Sequence, residues 1–495
     1  MKINFYKGIA YATLVSLSLV ACKPKLDADM PASKAELDLS NYVSVGNSLT
    51  AGYADGGLYR DAQLNSYPNF IAQQMQLAGG GTFAQPLFSE TQANGSGYLK
   101  ITGWNTDGTP ILSEETTNLA VVDALTGQLA RHEGANNNYG VPGIRVADVN
   151  FAPYAQLNPY FERLLPAGTQ KTYTDMVSGA NPTFFTCWLG NNDVLGFATR
   201  GGDPEANPVG STPIPTSEFP VSALGADGAI TDSAFFAANY KALVDKLTAN
   251  GAEGVLATIP DIASIPYVTT LNGIIADGAG GVFPVVPLDA TTAATLNGLY
   301  MATGYSNPGF VAGNNYFVIS IDDPNTGTIE VRQMNPATDY ILLSAQGLAP
   351  QLATGLGVAL PNNGSNPSLP NPPFTSLPAP LPNWAVLSAE EVELVRTYTG
   401  YYNDIIRKTA EDKGLALVES DLFFDYIKAT KTIDGVSISS DFISGGLFSV
   451  DGVHLTPKGY AIIANQFIKA INYTYGSAIP LIDVNAKNYR TVVFP

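Results

Sequence analysis

The chain predicts a three-layer α/β/α domain built on a parallel β-sheet, and three features of the sequence carry that prediction. Short apolar runs at Tyr42-Val43-Ser44-Val45 and at residues 182–189, 254–259 and 415–419 are near-continuous rather than alternating, as strands buried on both faces must be. Segments with a capping residue and an apolar helical face fall between them, which is the β-α-β rhythm of a parallel sheet. Two of the runs stop at glycine, Gly46 and Gly190, and polar residues follow at once. Those residues then lie at the carboxyl edge of the sheet, where open α/β sheets bind their ligands.

Residues 1–21 read as a leader. Lys2 and Lys7 make its positive start, residues 9–20 are an apolar run too short to span a bilayer, and Leu19-Val20-Ala21-Cys22 is similar to a bacterial lipobox. That similarity implies cleavage before Cys22 and acylation of its thiol. The chain is then expected at the cell envelope, in the outer membrane, because two or more acyl chains on one residue anchor stably. An ordinary signal peptide with an incidental cysteine is the alternative. Residues 22–39, with Pro24, Pro31 and mixed charge, read as a tether.

The first strand ends at Gly46, and residues 66–77, with Ser66 as cap, predict the first crossover helix. From 79 to 135 the sequence is glycine-rich and irregular, with a hairpin turn expected at Asp107-Gly108 and no run that marks the sheet's second strand. An excursion rich in glycine and proline covers 199–224, after which Asp232 or Ser233 caps a helix through Leu247, stopped by Asn250-Gly251. Between about 266 and 384 the rhythm breaks. Residues 316–321 and 328–332 predict a β-hairpin, and Asp322-Asp323 reads as its turn because the ligand spacing of a calcium loop is missing. Eight prolines in 361–382 predict an extended linker. Ser388-Ala389-Glu390-Glu391 is a capping box opening a helix to about Asp412, and Thr456-Pro457 starts the closing helix, which runs to Tyr475. The expected division is one α/β domain in two parts, 40–265 and 385–495, around an insertion at 266–384 that holds the proline-rich linker. Apolar residues of that insertion, Phe283, Tyr300, Met301 and Phe310, are expected to wall the site, with a peripheral decoration packed on the helices as the alternative.

Composition bounds the partners. At 45% apolar and 10% aromatic residues the chain is a folded globular protein. Its formal charge is −18, or −20 once Lys2 and Lys7 leave with the leader. Phosphate backbones and anionic headgroups repel such a chain, so no nucleic-acid partner is expected, and membrane attachment falls to the lipid. Of the two cysteines, Cys187 lies inside Phe184-Phe185-Thr186-Cys187-Trp188-Leu189 and reads as a buried small hydrophobe.

Ser48, in Gly46-Asn47-Ser48-Leu49-Thr50, is the candidate nucleophile, set where the first strand runs into a loop. A hydroxyl needs a general base, a group to orient that base, and donors for the oxyanion. The chain holds only two histidines. His132 sits between Arg131 and Glu133 and reads as a solvated loop residue. His454, in Asp451-Gly452-Val453-His454, follows a carboxylate by three residues, so one turn of chain can return that carboxylate to Nδ1 and leave Nε2 facing a hydroxyl.

These residues resemble the signature blocks of the SGNH (GDSL-like) hydrolases. Gly46-Asn47-Ser48-Leu49 is similar to the first block, Asn138-Tyr139-Gly140-Val141-Pro142-Gly143 to the second, Gly190-Asn191-Asn192-Asp193 to the third and Asp451-x-x-His454 to the last. The resemblance implies a flavodoxin-like fold and ester hydrolysis without metal or cofactor. It also implies a Ser48–His454–Asp451 triad, with an oxyanion hole from Ser48, Gly143 and Asn192. Asn47 departs from the usual aspartate of the first block. The α/β-hydrolase elbow is rejected because it needs glycine where Thr50 stands. The substrate is expected to be a small-molecule, lipid or glycan ester; a carbohydrate O-deacetylase and a non-catalytic binding lipoprotein are the rival readings.

Overall fold

Five strands in the computed structural model form one all-parallel sheet: β1 (Tyr42–Gly46), β2 (Asn138–Gly140), β3 (Phe184–Trp188), β4 (Glu253–Ala257) and β5 (Ala416–Val418). Their spatial order is 2-1-3-4-5, one of the common orders of wound α/β sheets, with its switch point between β1 and β3. The structure describes residues 31–491 apart from 106–109, 203–220, 223–228, 279–282, 303, 322–328, 349–355, 358–378, 434, 486–488 and 490. The leader with Cys22, the Asp107-Gly108 turn, most of the 199–224 excursion, Asp322-Asp323 and nearly all of the proline-rich stretch lie outside the described residues.

Every residue of β1 and of β3 is buried, which is why their sequences run apolar on both faces. Alternate side chains feed two separate cores. Val43, Val45, Phe185, Cys187 and Leu256 pack with helices α4 (Ser233–Thr248) and α6 (Ala389–Lys413), through Phe236, Tyr240, Val395 and Tyr402. Tyr42, Phe184, Trp188 and Val255 pack instead with α2 (Tyr67–Leu77) and α8 (Pro457–Tyr475), through Ile71, Met75, Ile463 and Phe467. Cys187 is fully buried within this packing, and burial pushes its thiol up to about 12.

The strand β2 carries no apolar run. It is held by polar side chains: Asn138 Oδ1 accepts from the Gly140 N–H at 3.0 Å, and Asn138 Nδ2 donates to Thr50 O at 2.9 Å. At the ends of the helices the sequence signals work as expected. Asp232 accepts from the N–H groups of Ala234 and Phe235, Ser388 and Glu391 form a reciprocal capping box, and Thr456 Oγ1 accepts from the Gly459 N–H. Ser66 occupies the cap position of α2, yet its hydroxyl goes to Gln85 Oε1 and not to the helix. The predicted tether also shortens: Ser33 pairs with Ala478, and Leu37 and Leu39 are buried in the core of α2 and α8, so 33–39 belongs to the domain.

The region 79–135 contributes an antiparallel hairpin, Tyr98–Trp104 with Pro110–Glu115, on either side of the expected turn. The insertion has more regular structure than the sequence announces, with α5 (Pro266–Gly278) and a helix Ala290–Ala302 beside the expected hairpin, Val318–Ile321 with Glu330–Gln333. It builds its own cores, one around Leu271, Phe317 and Ile341, another around Tyr300, Tyr305 and Phe310. Arg332 ties it to the main domain by bonding both Asp339 and Glu390, at 2.8 and 2.9 Å. No described helix is long and apolar enough to cross a membrane.

Candidate active site

The carboxyl ends of β1 and β3 deliver the site. Beyond β1 the chain turns into the one-turn helix α1 (Ser48–Ala51), so Ser48 begins a helix where the sequence suggested a loop. Gly46 makes the approach possible: a Cβ there would stand 2.0 Å from Thr50 Oγ1 and 2.7 Å from Trp188 O. Asn47 caps α1, its Oδ1 accepting from the Leu49 N–H at 3.0 Å, while its Nδ2 donates to Asn191 Oδ1 at 3.0 Å. The first block is thereby tied to the third.

Ser48 Oγ lies 2.8 Å from His454 Nε2, and His454 Nδ1 lies 2.8 Å from Asp451 Oδ2. The Asp451 carboxylate also accepts from the N–H groups of His454 and Val453, from Gly56 N–H, and from the Ser449 hydroxyl. Burial alone would raise this carboxyl, but the imidazole and these donors outweigh it and hold it well below the usual carboxylate range. An ionised carboxylate only accepts, so Nδ1 carries the proton and Nε2 offers its lone pair to the Ser48 hydroxyl.

A further layer, absent from the reading of the sequence, holds the acid in place. Asp55, in the left-handed region at φ 55°, donates its N–H to Ser449 Oγ, accepts from the Val450 N–H, and receives the Tyr59 hydroxyl at 2.6 Å. The Tyr53 ring packs on the imidazole, centroid to centroid 4.6 Å. Only the Asp55-Gly56 turn pair and the closeness of Ser449 to Asp451 in sequence could have hinted at this network.

Asn192 opens the helix α3 (Asn192–Ala198), and its Nδ2 donates to Ile144 O at 2.9 Å, leaving its second amide hydrogen for the site. Gly143, φ +83°, stands one residue before Ile144 and is exposed. The N–H groups of Ser48 and Gly143 have no acceptor among the described residues. Asp193 is fully buried and accepts from the N–H groups of Val146 and Ala147, locking the second block to the third. Burial raises its carboxyl to about 6.

A narrow cleft opens at Ser48, lined also by Asn192 and His454. Its walls come from Trp188 at the end of β3, from 259–265 after β4, from Phe424 on α7 (Ser420–Thr430), and from Phe448. No described residue of 268–383 lines it. The expected wall of Phe283, Tyr300, Met301 and Phe310 is therefore corrected: three of these fill the insertion's own cores and Met301 is exposed. The insertion instead meets the dyad loop, residues 451–454, which carries Asp451 and His454. The Tyr267 N–H donates to Gly452 O at 2.9 Å, and a Cβ on Gly452 would stand 3.2 Å from Leu343 Cδ2.

The structure thus brings Ser48, Asn192, Asp451 and His454 together with Gly143 alongside, and leaves His132 elsewhere, bonded to Ala135 O at 3.1 Å. Among the described residues no cluster of three His, Cys, Asp or Glu side chains is arranged to hold a metal ion. No family model, curated protein or solved structure was found to match the chain.

Proposed function

We propose that the chain is a serine ester hydrolase acting through an acyl-serine intermediate, on a three-layer α/β/α fold of the SGNH type. The observation that carries this reading is the unbroken relay from Ser48 Oγ to His454 Nε2 and from Nδ1 to Asp451, both links at 2.8 Å. The Ser48 oxygen attacks the ester carbonyl carbon while Nε2 takes the hydroxyl proton. The same proton passes to the alcohol oxygen as the carbon–oxygen bond breaks. Water then attacks the acyl-serine, His454 takes its proton, and Ser48 leaves with that proton restored. The N–H groups of Ser48 and Gly143 and the free amide hydrogen of Asn192 face the developing oxyanion, the term that usually contributes most to such catalysis.

The two cores on opposite faces of the sheet support the layered fold, and the four sequence blocks support the family. The lipobox-like segment supports attachment to the outer membrane through Cys22. A relay complete in every member speaks against a retired scaffold that only binds. The test is direct: the purified chain should turn over p-nitrophenyl esters and be labelled by a fluorophosphonate. Ser48→Ala should abolish labelling and lower turnover by at least about 10³-fold, with thermal unfolding nearly unchanged. Turnover retained in that variant would sink the triad.

A further inference from the structure

The cleft beside Ser48 has a direction. In the strand order 2-1-3-4-5, Ser48 follows β1, Trp188 ends β3, Ile259, Ile262 and Ile265 follow β4, and Phe424 lies on α7 just after β5. The cleft therefore runs along the carboxyl edge away from β2 and Gly143. It crosses three strand spacings, roughly 14 Å. Phe424 stands toward β5, its ring centroid 5.9 Å from that of Phe448, which pairs with Leu455 beside the relay and lines the cleft from that side.

The wall chemistry is one-sided. Most of its lining is apolar, and its few polar side chains beyond the relay are partly engaged: Asn47 with Asn191 at 3.0 Å, Asn192 with Ile144 O at 2.9 Å, and Asp261 with Arg396 at 2.8 Å. Among the described residues no lysine or arginine lines the cleft, so these offer no counter-charge to a carboxylate or phosphate. A sugar placed there would set most of its hydroxyls against apolar side chains, at a cost that an alkyl chain avoids.

We propose that this cleft is an acyl-chain site: it takes the saturated chain of a neutral fatty ester, about eight to ten carbons long by the span of the strands, with Phe424 closing its end. The inference rests on the esterase reading and selects fatty esters over acetylated glycans within it. The chain runs from the carbonyl at Ser48 and Asn192 over Trp188 and Ile259 to Phe424. The alcohol leaves on the open side of β1.

The test compares the purified full-length chain on p-nitrophenyl esters from acetate to palmitate, with a second series of acetates of lengthening alcohols, and fluorophosphonate labelling as control. The expected result is a rise in kcat/KM of roughly threefold per methylene to a maximum near octanoate or decanoate, with little response to alcohol length. Phe424→Ala should move the maximum to longer chains. Ile265→Trp should lower the octanoate-to-acetate ratio at least tenfold, an independent arm should the first variant fail to fold. A maximum at acetate, or a preference that follows the alcohol, with labelling intact, overturns the acyl site and leaves the esterase reading standing. Absence of both labelling and turnover on every ester overturns the two together.

Discussion

Asp193 adjoins Asn192, the proposed oxyanion donor, and is fully buried, its carboxyl accepting from the backbone N–H groups of 146 and 147. The charge of Arg145, which also bonds Asp148 at 2.9 Å, offsets that burial only in part. Burial consequently dominates and raises Asp193 from an ordinary 3.8 to about 6. Between those values the folded chain holds a proton that the unfolded chain has released. Its contribution to stability is therefore full below about pH 4 and is lost as pH rises through about 6, a swing of at most about 3 kcal/mol. Urea unfolding of wild type and Asp193→Asn across pH 4–7 should show the wild type losing ground against the variant as pH rises. Two parallel stability curves would mean that Asp193 does not titrate in this range. Asp451 has the opposite sense, its carboxyl depressed by the imidazole and N–H donors against the effect of burial, and it cancels in the comparison because both proteins keep it.

Among the elements, the docking of α5 on the dyad loop gives the insertion a role in geometry rather than in selection. Gly452 sits at φ +72°, and a Cβ there would approach the Tyr267 nitrogen to 2.9 Å. Gly452→Ala combines backbone strain with that clash and must shift the loop that carries Asp451 and His454. We expect kcat to fall by about tenfold or more on acetate and octanoate alike, with their ratio unchanged. A changed ratio would return the insertion to the wall of the cleft. The same elements show what the sequence made legible. β1, β3, β4 and β5 could be read because strands buried on both faces must be apolar throughout, and α6 and α8 because their caps are side-chain chemistry. β2 could not, since its three residues are fixed by Asn138 side-chain bonds to distant backbone. Ala290–Ala302 escaped because its threonines, glycine and apolar residues make no clear stripe; α5 carries one but starts directly behind Ile265, with no capping side chain to announce it. The triad was legible because histidine is so scarce here. Asp55, Tyr53 and Asn191 were not, because only folding brings them to the relay.

For the whole molecule, the acidic balance of −18 leaves attachment to an anionic bilayer with no electrostatic help, so the proposed anchoring stands on Cys22 alone. Cys22→Ser should move the chain from the membrane fraction to the soluble one, read by blotting after ultracentrifugation. Unchanged partition would assign the attachment to another part of the chain. The relay itself is assembled from the two extremes of the fold, since Ser48 and His454 lie 406 residues apart. Closing a loop of that length comes late in folding, and on the ribosome or in an export channel the serine emerges long before its base. On the proposed esterase reading the unfinished chain is latent: the Ser48 hydroxyl has no base beside it until the loop carrying His454, and the α8 that follows it, are made and docked.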